Sequence, residues 1–338
     1  MRAYELYGVW YRMGGIGLLG STVPIEVAML MMVMAAIYLW VLFVFTRIEA
    51  KEDEAKIFMT KAGQLIKDGE WDEALAEYRM AANIIDDRTD PKVMGDCYHG
   101  IGYCLYQLGK QRSDPELFIG SNTMNEKAWK IYAKDGLGYE ATVCLSHIGN
   151  SLVKLSQYDR AEKHLTTAIK MYHAALSLKI EAQIREVEWG NWLGAGNGDP
   201  HEIEFDEDRE IEEMLGGKYP VEHGNILNNL GSAYRQLSRI SDSEENLTKA
   251  ISNYNKALKI RSLERFPEDH AITMVNLGNT HIDLFRLRKD PEDLTIGAHE
   301  FMQALAVYTE EDHPDMHRSL TKRRDHVLKK LVALQVVG

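Results

Sequence analysis

One sequence pattern occurs twice in this chain and indicates its fold class. Residues 98–132 read YHGIGYCLYQLGKQRSDPELFIGSNTMNEKAWKIY, and residues 274–308 read MVNLGNTHIDLFRLRKDPEDLTIGAHEFMQALAVY. The two copies align without a gap and match at Gly102 and Gly278, Leu108 and Leu284, Arg112 and Arg288, Asp114-Pro115-Glu116 and Asp290-Pro291-Glu292, Ala128 and Ala304, and Tyr132 and Tyr308. Similarity at a fixed offset is the signature of a repeat protein. Such arrays present long binding surfaces, so the duplication favours binding over catalysis.

The composition is that of a folded, acidic protein. The chain has 338 residues, of which 45% are hydrophobic and 27% charged, enough for two domains or one elongated array. A formal net charge of −12 argues against non-specific binding to nucleic acid, which needs a basic stripe. Cys97 and Cys104 lie on one predicted helix about 10 Å apart, too far for a disulfide, so we expect buried thiols.

A single membrane-spanning helix is predicted at residues 22–46. Every residue from 27 to 45 is apolar or aromatic, which is close to the length that crosses a bilayer as a helix. A cleavable signal peptide is disfavoured because 26 residues precede the apolar run and no small-residue cleavage site follows it. A buried core helix is disfavoured because the segment is apolar on all faces. We therefore expect an uncleaved N-terminal anchor.

The charges around this span predict its orientation. More basic residues follow it than precede it, namely Arg47, Lys51, Lys56 and Lys61 against Arg2 and Arg12. The positive-inside rule then places the C-terminal array on the cytoplasmic or matrix-equivalent side. Asn246 begins a glycosylation sequon, which would be used only if the array faced a secretory lumen.

The N-terminal segment, residues 1–21, is predicted to lie in the membrane interface. Tyr4, Tyr7 and Tyr11 fall on one helical face, which suits the boundary between headgroups and acyl chains. Gly15 and Gly17 form part of a GxGxxG pattern, but no strand precedes it and a membrane helix follows. The pattern therefore does not indicate a nucleotide site.

From residue 50 onward the apolar residues recur with a period near 3.6, and breaks separate them into paired helices. Five copies are recognised, at residues 55–84, 98–132, 140–172, 223–260 and 270–308. The first helix of four copies carries a glycine after Ile or Leu: Gly102, Gly149, Gly231 and Gly278. The second helix carries small residues around a larger one: Ala74, Tyr78 and Ala81; Ala161, Leu165 and Ala168; Ala250, Tyr254 and Ala257; Gly297, Phe301 and Ala304. We expect the small residues to let helices approach and the aromatic to fill the space between repeats.

This pattern resembles the tetratricopeptide repeat (TPR) family over about three-quarters of the chain. The resemblance implies an all-α fold in which the transmembrane helix precedes a right-handed α-solenoid of helical hairpins. Repeats one to three would occupy residues 50–176 and repeats four and five residues 222–310. Two copies depart from the pattern, with Lys61-Ala62 in place of Leu-Gly and with Asn125 in place of the aromatic.

Some copies are longer than the standard 34 residues. The distance from Gly102 to Gly149, like that from Gly231 to Gly278, is 47 residues. The surplus is predicted to lie between the two helices of a hairpin, at residues 110–119, 239–248 and 288–295. The Asp-Pro-Glu triplet within two of these segments predicts the restart of a helix.

The resemblance also implies a concave groove lined by the first helix of each hairpin. Its candidate partner-binding residues are His99, Tyr103, Tyr106, Asn150, Asn225, Asn228, Arg235 and Asn279. Amides can satisfy the backbone of an extended peptide, and aromatic rings can cover its side chains. The alternative is that these residues are simply solvated helix faces. The lysines with which chaperone-binding members clamp a terminal carboxylate are missing.

An acidic insertion, residues 177–221, interrupts the array. Residues 202–213 contain eight carboxylates and one arginine, which favours a solvated loop because the calcium-binding loop pattern is absent. Trp189 and Trp192 stand at the start of its glycine-rich part and are candidate contact residues.

A last helix, within residues 313–337, carries Leu320, Val327, Leu328, Leu331 and Leu334 on one side and basic residues on the rest. The favoured interpretation is the polar capping helix that an array needs for solubility. The alternative is docking to anionic lipid or to an acidic partner.

Neither a nucleophile motif nor a phosphate loop occurs, so no catalytic residue, cofactor or metal is expected. His313 and His317 have metal-like spacing, but the intervening Pro314 starts a helix. The sequence predicts a single-pass membrane-anchored scaffold or adaptor that mediates protein–protein interaction as an accessory or assembly subunit of a larger membrane complex. Its partners would be other proteins and the bilayer, not nucleic acid. The alternatives are a receptor that captures clients transiently, as in organelle import, and an enzyme or sensor regulated by the insertion.

Overall fold

The computed structural model describes residues 25–177 and 220–337, and every regular element in these two ranges is an α-helix. The helices of this part of the chain are α1 (Ile25–Asp68), α2 (Trp71–Ile84), α3 (Pro91–Arg112), α4 (Pro115–Lys134), α5 (Gly138–Leu155), α6 (Ala161–Ser177), α7 (Pro220–Leu237), α8 (Ser243–Ile260), α9 (Pro267–Arg288), α10 (Pro291–Val307) and α11 (Pro314–Val337). The predicted interfacial segment 1–21 lies outside the described residues. The predicted all-α class is confirmed.

The helices pair in chain order to form five hairpins. The C-terminal part of α1 packs on α2, and the later pairs are α3 with α4, α5 with α6, α7 with α8 and α9 with α10. Each hairpin packs on the next through its second helix, and α11 packs on α10. Because α6 packs directly on α7, the array is continuous across the insertion. This stacking of helix pairs is the predicted α-solenoid.

The helix α1 joins two segments that the sequence analysis separated. The prediction ended the membrane helix at residue 46 and began the array at residue 50, but α1 continues without a break for 44 residues. At 1.5 Å per residue it is about 66 Å long. Its C-terminal half places Ala55 and Ala62 in the core of the first hairpin. The helix continues because residues 46–50 contain neither glycine nor proline.

The surplus residues of the long repeats lengthen the helices. Between α3 and α4 only Ser113 and Asp114 are non-helical, so the prediction of a longer segment between these helices was wrong. The predicted helix restart is confirmed, because the Asp114 carboxylate accepts a hydrogen bond from the Glu116 N–H at 2.9 Å. Asp290 accepts from the Glu292 N–H at 3.0 Å in the fifth hairpin. Both aspartates are N-caps followed by proline at the first helical position.

In each of the last three hairpins, an aromatic ring of the second helix lies on the glycine that follows Ile or Leu in the first helix. A Cβ atom added to Gly149 would lie 2.7 Å from Cε1 of Tyr172, and one on Gly231 would lie 2.8 Å from Cε1 of Tyr254. Phe301 covers Gly278 in the same way. The aromatic therefore fills the crossing within a hairpin, and the prediction that it fills the space between repeats was wrong for these copies.

In the third repeat the aromatic residue is not at the predicted position. Leu165 was predicted to correspond to the aromatic of the other copies, but the ring that covers Gly149 belongs to Tyr172, about two turns later. Leu165 is itself fully buried. Both residues fit a helical period, so only packing distinguishes them.

In the first two hairpins, different contacts are made at the glycine positions. In the first, Tyr78 lies against Gly100 of the next hairpin, so here the aromatic does lie between repeats. In the second, Asn125 takes the aromatic position and is fully buried against Gly102. Its Nδ2 donates to the Ser121 carbonyl at 2.9 Å, which satisfies a polar group that burial would otherwise destabilise.

The C-terminal helix α11 covers the end of the fifth hairpin. Leu320 and Val327 are buried in a cluster with Phe301 of α10. Leu328 and Leu334 are exposed, so the buried side of α11 is narrower than the sequence predicted. This contact supports the capping interpretation because it removes the apolar end of the array from water.

Candidate protein-binding face

The eight predicted groove residues all lie on first helices of hairpins. His99, Tyr103 and Tyr106 are on α3, Asn150 is on α5, Asn225, Asn228 and Arg235 are on α7, and Asn279 is on α9. Asn228 is buried and the other seven are half-buried, so none of them is part of a fully solvated face. We call the surface formed by these eight residues and their neighbours on the same helices the first-helix face. That this face binds a partner stays a prediction.

An aromatic cluster occupies the α3 end of the first-helix face. The rings of His99 and His147 are 4.8 Å apart, and Tyr103 lies 5.8 Å from His147. Trp71, at the start of α2, meets Tyr103 edge-on at 5.8 Å. The sequence analysis named His99 and Tyr103 but missed His147 and Trp71, which come from neighbouring helices. Tyr106 lies apart from this group and meets Phe118 edge-on.

The two histidines of this cluster are uncharged at neutral pH. Burial lowers the pKa of His147 to about 3, and the adjacent His99 adds to the effect. Burial also lowers the pKa of His99, against the opposing effect of its contact with Asn125 at 3.1 Å. The cluster therefore offers neutral ring faces and suits contact with apolar side chains better than with anions.

A chain of amides links the third, fourth and fifth hairpins. The Asn150 carbonyl oxygen accepts from the Tyr172 hydroxyl at 2.7 Å and from Nδ2 of Asn229 at 3.0 Å. Asn228 donates to Asn229 at 3.3 Å and accepts from Asn276 at 3.0 Å. Two predicted peptide-binding amides thus have partners within the protein, and they hold neighbouring first helices together. Asn229 was missed because nothing in its local sequence indicates contact with α5.

Asn225 belongs to a second internal network. It accepts a hydrogen bond from the guanidinium of Arg261, which is buried after the end of α8. The same guanidinium donates to Thr273 Oγ1 on α9 at 2.9 Å and lies 3.6 Å from an Asp269 carboxylate oxygen. Arg261 therefore bridges α7 and α9 through a paired buried charge, a role that the sequence analysis did not foresee.

Arg235 and Asn279 lie beside a half-open cavity of about 370 Å³ that is lined by residues of α7, α9, α10 and α11. Arg235 Nη2 is 2.7 Å from the Asp283 carboxylate of α9, and that carboxylate also lies 2.6 Å from Nη1 of Arg286. Asn279 uses its Nδ2 to donate to the Val275 carbonyl of its own helix at 2.8 Å. Of the eight predicted residues, these are the two that line this cavity.

The described part of the chain carries no group of three His, Cys, Asp or Glu residues arranged to hold a metal ion. His317 Nδ1 donates to the Tyr308 carbonyl at 2.9 Å, and the His313 ring packs on Tyr308. Burial raises the pKa of Cys97 and Cys104 to about 12, so both are protonated thiols. Trp189 and Trp192 lie outside the described residues.

The hairpin order, the glycine–aromatic crossings and the capping helix define an α-solenoid of stacked helical hairpins. No family model matches the sequence, and no curated protein does. The solved structures with similarity include the MamA RS-1 ArsTM double mutant, 18% identical with a TM-score of 0.44 over 77% of this chain and 97% of that one. BtubC from P. vanneervenii is 16% identical with a TM-score of 0.47 over 77% of this chain and 90% of that one. The TPR2AB domain of yeast Sti1, in complex with pHSP90, is 13% identical with a TM-score of 0.29 over 80% of this chain and 99% of that one.

Proposed function

We propose that this protein is a single-pass membrane-anchored scaffold that holds other proteins at a membrane, as an accessory or assembly subunit of a larger membrane complex. The role is binding rather than catalysis. The observation that carries the proposal is the continuous helix α1. The side chains of its apolar window are exposed, and its C-terminal half packs in the first hairpin of the array.

From Val33 to Phe45, α1 exposes large apolar side chains to its surroundings. Trp40 is 66% exposed and Phe45 61%, and no part of the described chain covers the apolar window of this helix. The window has a mean hydropathy of 1.7, and α1 is the helix in the described part that is long and apolar enough to cross a bilayer. Because so much uncovered apolar surface is unfavourable in water, a bilayer is the environment that suits it.

The charges at the end of the apolar half support an array on the cytoplasmic or matrix-equivalent side. Arg47 lies over the Phe43 ring at 5.5 Å, where a cation can remain near the headgroups. Protease added outside sealed right-side-out vesicles should leave the array intact. Its digestion there would contradict this orientation.

The sequon at Asn246 is a poor reporter of that orientation. Asn246 is 6% exposed and its Nδ2 donates to the Ser241 carbonyl at 2.8 Å. A glycan would replace one hydrogen of this nitrogen, which is nearly inaccessible in the folded array. Glycosylation of the folded array at Asn246 is therefore not expected on either side of the membrane.

Extraction in mild detergent tests the scaffold role. The full-length protein should co-purify with other proteins in fixed stoichiometry, and a chain lacking residues 25–46 should fold without co-purifying them from the membrane fraction. A monodisperse monomer from gentle extraction would contradict the proposal.

A receptor that captures clients transiently is the second candidate function. The aromatic cluster of Trp71, Tyr103 and His147 favours it, because half-buried rings can receive the side chains of an extended peptide. Tyr103→Ala should then weaken client binding without changing membrane insertion. Asn279→Ala is the better amide variant, since Asn228 is buried and its replacement would disturb the array. Unchanged client capture by both variants would exclude this function.

A further inference from the structure

The half-open cavity between α7, α9 and α11 is strongly basic in an otherwise acidic protein. Its lining includes the cationic or titratable side chains Arg235, Arg286, Lys322, Arg323, His326 and Lys330. Asp283 is the single acidic residue of that lining, so the cavity is basic although the whole chain has a formal net charge of −12. We call this feature the basic cavity.

The charge of the basic cavity is only partly neutralised. Asp283 is shared by Arg235 and Arg286, so it compensates one positive charge of the two. Lys322 and Arg323 form no ion pair with any described residue. The Lys330 ammonium lies over the Phe285 ring, 4.6 Å from its centre, and forms no ion pair with a carboxylate of the described residues. The cavity therefore has hydrogen-bond donors and positive charge available for an anion.

Arg235 and the backbone of α11 are fixed before any ligand arrives, whereas the side chains of Lys322, Arg323 and Lys330 are exposed. Arg235 is half-buried, with its guanidinium fixed by two contacts to Asp283. Lys322, His326 and Lys330 are spaced by four residues, so they share one face of α11. The buried Leu320 and Val327 fix α11 on the array. Such preorganisation lowers the entropy lost on binding.

We propose that the basic cavity binds an acidic segment of a partner protein through aspartate and glutamate side chains. This inference rests on the proposed scaffold role and adds the chemistry of one partner. The aliphatic side chains of Ile282 and Val327 also line the cavity and suit an apolar residue between the acidic ones. The available volume is at the lower end for a binding pocket, which fits a few side chains rather than a folded domain.

Two other anionic partners fit the observations less well. Nucleic acid is disfavoured because the lining contains no Phe, Tyr or Trp on which a base could stack, and because the protein as a whole is acidic. A lipid surface is disfavoured because the cavity lies between the last two hairpins and the capping helix. The apolar helix α1 belongs to the first hairpin, at the other end of the array.

Fluorescence anisotropy tests the assignment. The full chain, in nanodiscs of uncharged lipid, is titrated into a short labelled peptide rich in Asp and Glu with interspersed Leu, acetylated and amidated at its ends. Binding should be measurable at low ionic strength and weaken as salt is added. The double variant Lys322→Glu with Arg323→Glu should bind at least about tenfold more weakly, since reversal turns two attractions into repulsions.

A matched control uses the same helix and the same charge change. Arg318→Glu with Lys329→Glu alters two residues of α11 outside the cavity lining and should change binding less than about twofold. Equal weakening by both double variants would overturn the proposal, as would equal binding of an Asn/Gln peptide of the same length. Tighter competition by an oligonucleotide or by anionic vesicles would also overturn it.

Failure of this inference is distinguishable from failure of the scaffold role. A stoichiometric partner in the detergent extract together with no peptide binding would reject the basic cavity alone. Loss of binding on amidation of the peptide would likewise reject recognition through side chains, because it would show that a terminal carboxylate is needed.

Discussion

Tyr172, Tyr254 and Phe301 each lie on a glycine of the helix before their own, and this contact sets how closely the two helices of a hairpin approach. The glycine is required for space, since a Cβ would overlap the ring. At other positions a buried polar side chain fills the space between helices and forms hydrogen bonds there. Asn125 replaces the ring in the second hairpin, and Arg261 joins the fourth hairpin to the fifth.

Gly149→Ala should lower the free energy of unfolding by about 1–3 kcal/mol, because the new methyl group meets the Tyr172 ring. Gly63→Ala is the control, since nothing lies within 4 Å of a Cβ there. That change should be neutral or stabilise by up to about 1 kcal/mol, as alanine is the better helix former. Urea unfolding followed by circular dichroism measures both. Equal effects would show that the crossing is not tightly packed.

Glu300 makes stability depend on pH. Burial raises its pKa from 4.5 to about 8, so the folded protein keeps a proton that the unfolded chain releases above pH 4.5. Its contribution to stability is thus complete below pH 4.5 and is lost as the pH rises to about 8, with a slope of at most about 1.4 kcal/mol per pH unit. Glu300→Gln should therefore match the parent protein at pH 5 and be more stable at pH 9.

Thermal unfolding of Glu300→Gln across this pH range checks the effect. Glu310→Gln, in the exposed turn after α10, is the control and should follow the parent protein at every pH. Parallel profiles for the parent protein and Glu300→Gln would contradict a buried protonated carboxyl group at this position.

At the scale of elements, the local sequence predicted which segments are helical, and packing decided how long they are. The Asp-Pro-Glu triplets start α4 and α10 as expected, because an aspartate cap and a proline at the first position act locally. The extra residues of the long repeats could equally have formed loops. They extend α3 and α4 instead, which satisfies more backbone hydrogen bonds and buries more apolar surface.

The continuity of α1 has a consequence for assembly. A proline at exposed position 49, in Glu49→Pro, should break the helix at a cost of about 3 kcal/mol or more. The array should still fold and the anchor should still insert, but the fixed orientation between them would be lost. We expect loss of the co-purifying partners, with Glu49→Ala as the control that retains them. Retention by the proline variant would mean that orientation is unimportant.

The whole molecule behaves as a linear stack, because each hairpin packs on its sequence neighbours. Stability in such an array is a sum of hairpin and neighbour contributions, so damage at one end should stay local. The amide chain from Asn150 to Asn276 joins the third, fourth and fifth hairpins, and the capping helix α11 covers the fifth.

Leu320→Ala should destabilise α9, α10 and α11 by about 2–5 kcal/mol because it leaves a cavity beneath the cap. Leu328→Ala, at an exposed position of the same helix, should change stability by less than about 0.5 kcal/mol. Hydrogen exchange should show faster exchange in α9–α11 of the first variant and unchanged protection in α3–α6. Faster exchange throughout would contradict a linear stack.

The all-α class, the five helix pairs, the apolar N-terminal helix and the aspartate caps follow from local sequence, because periodicity and capping act over a few residues. Long-range packing places Tyr172 rather than Leu165 on Gly149, and it bonds Asn150 and Asn228 to other hairpins. It alone brought Arg235 to the basic residues of α11. These are contacts between residues far apart in the chain, and a helical period allows several partners for each, so the choice among them is made by packing.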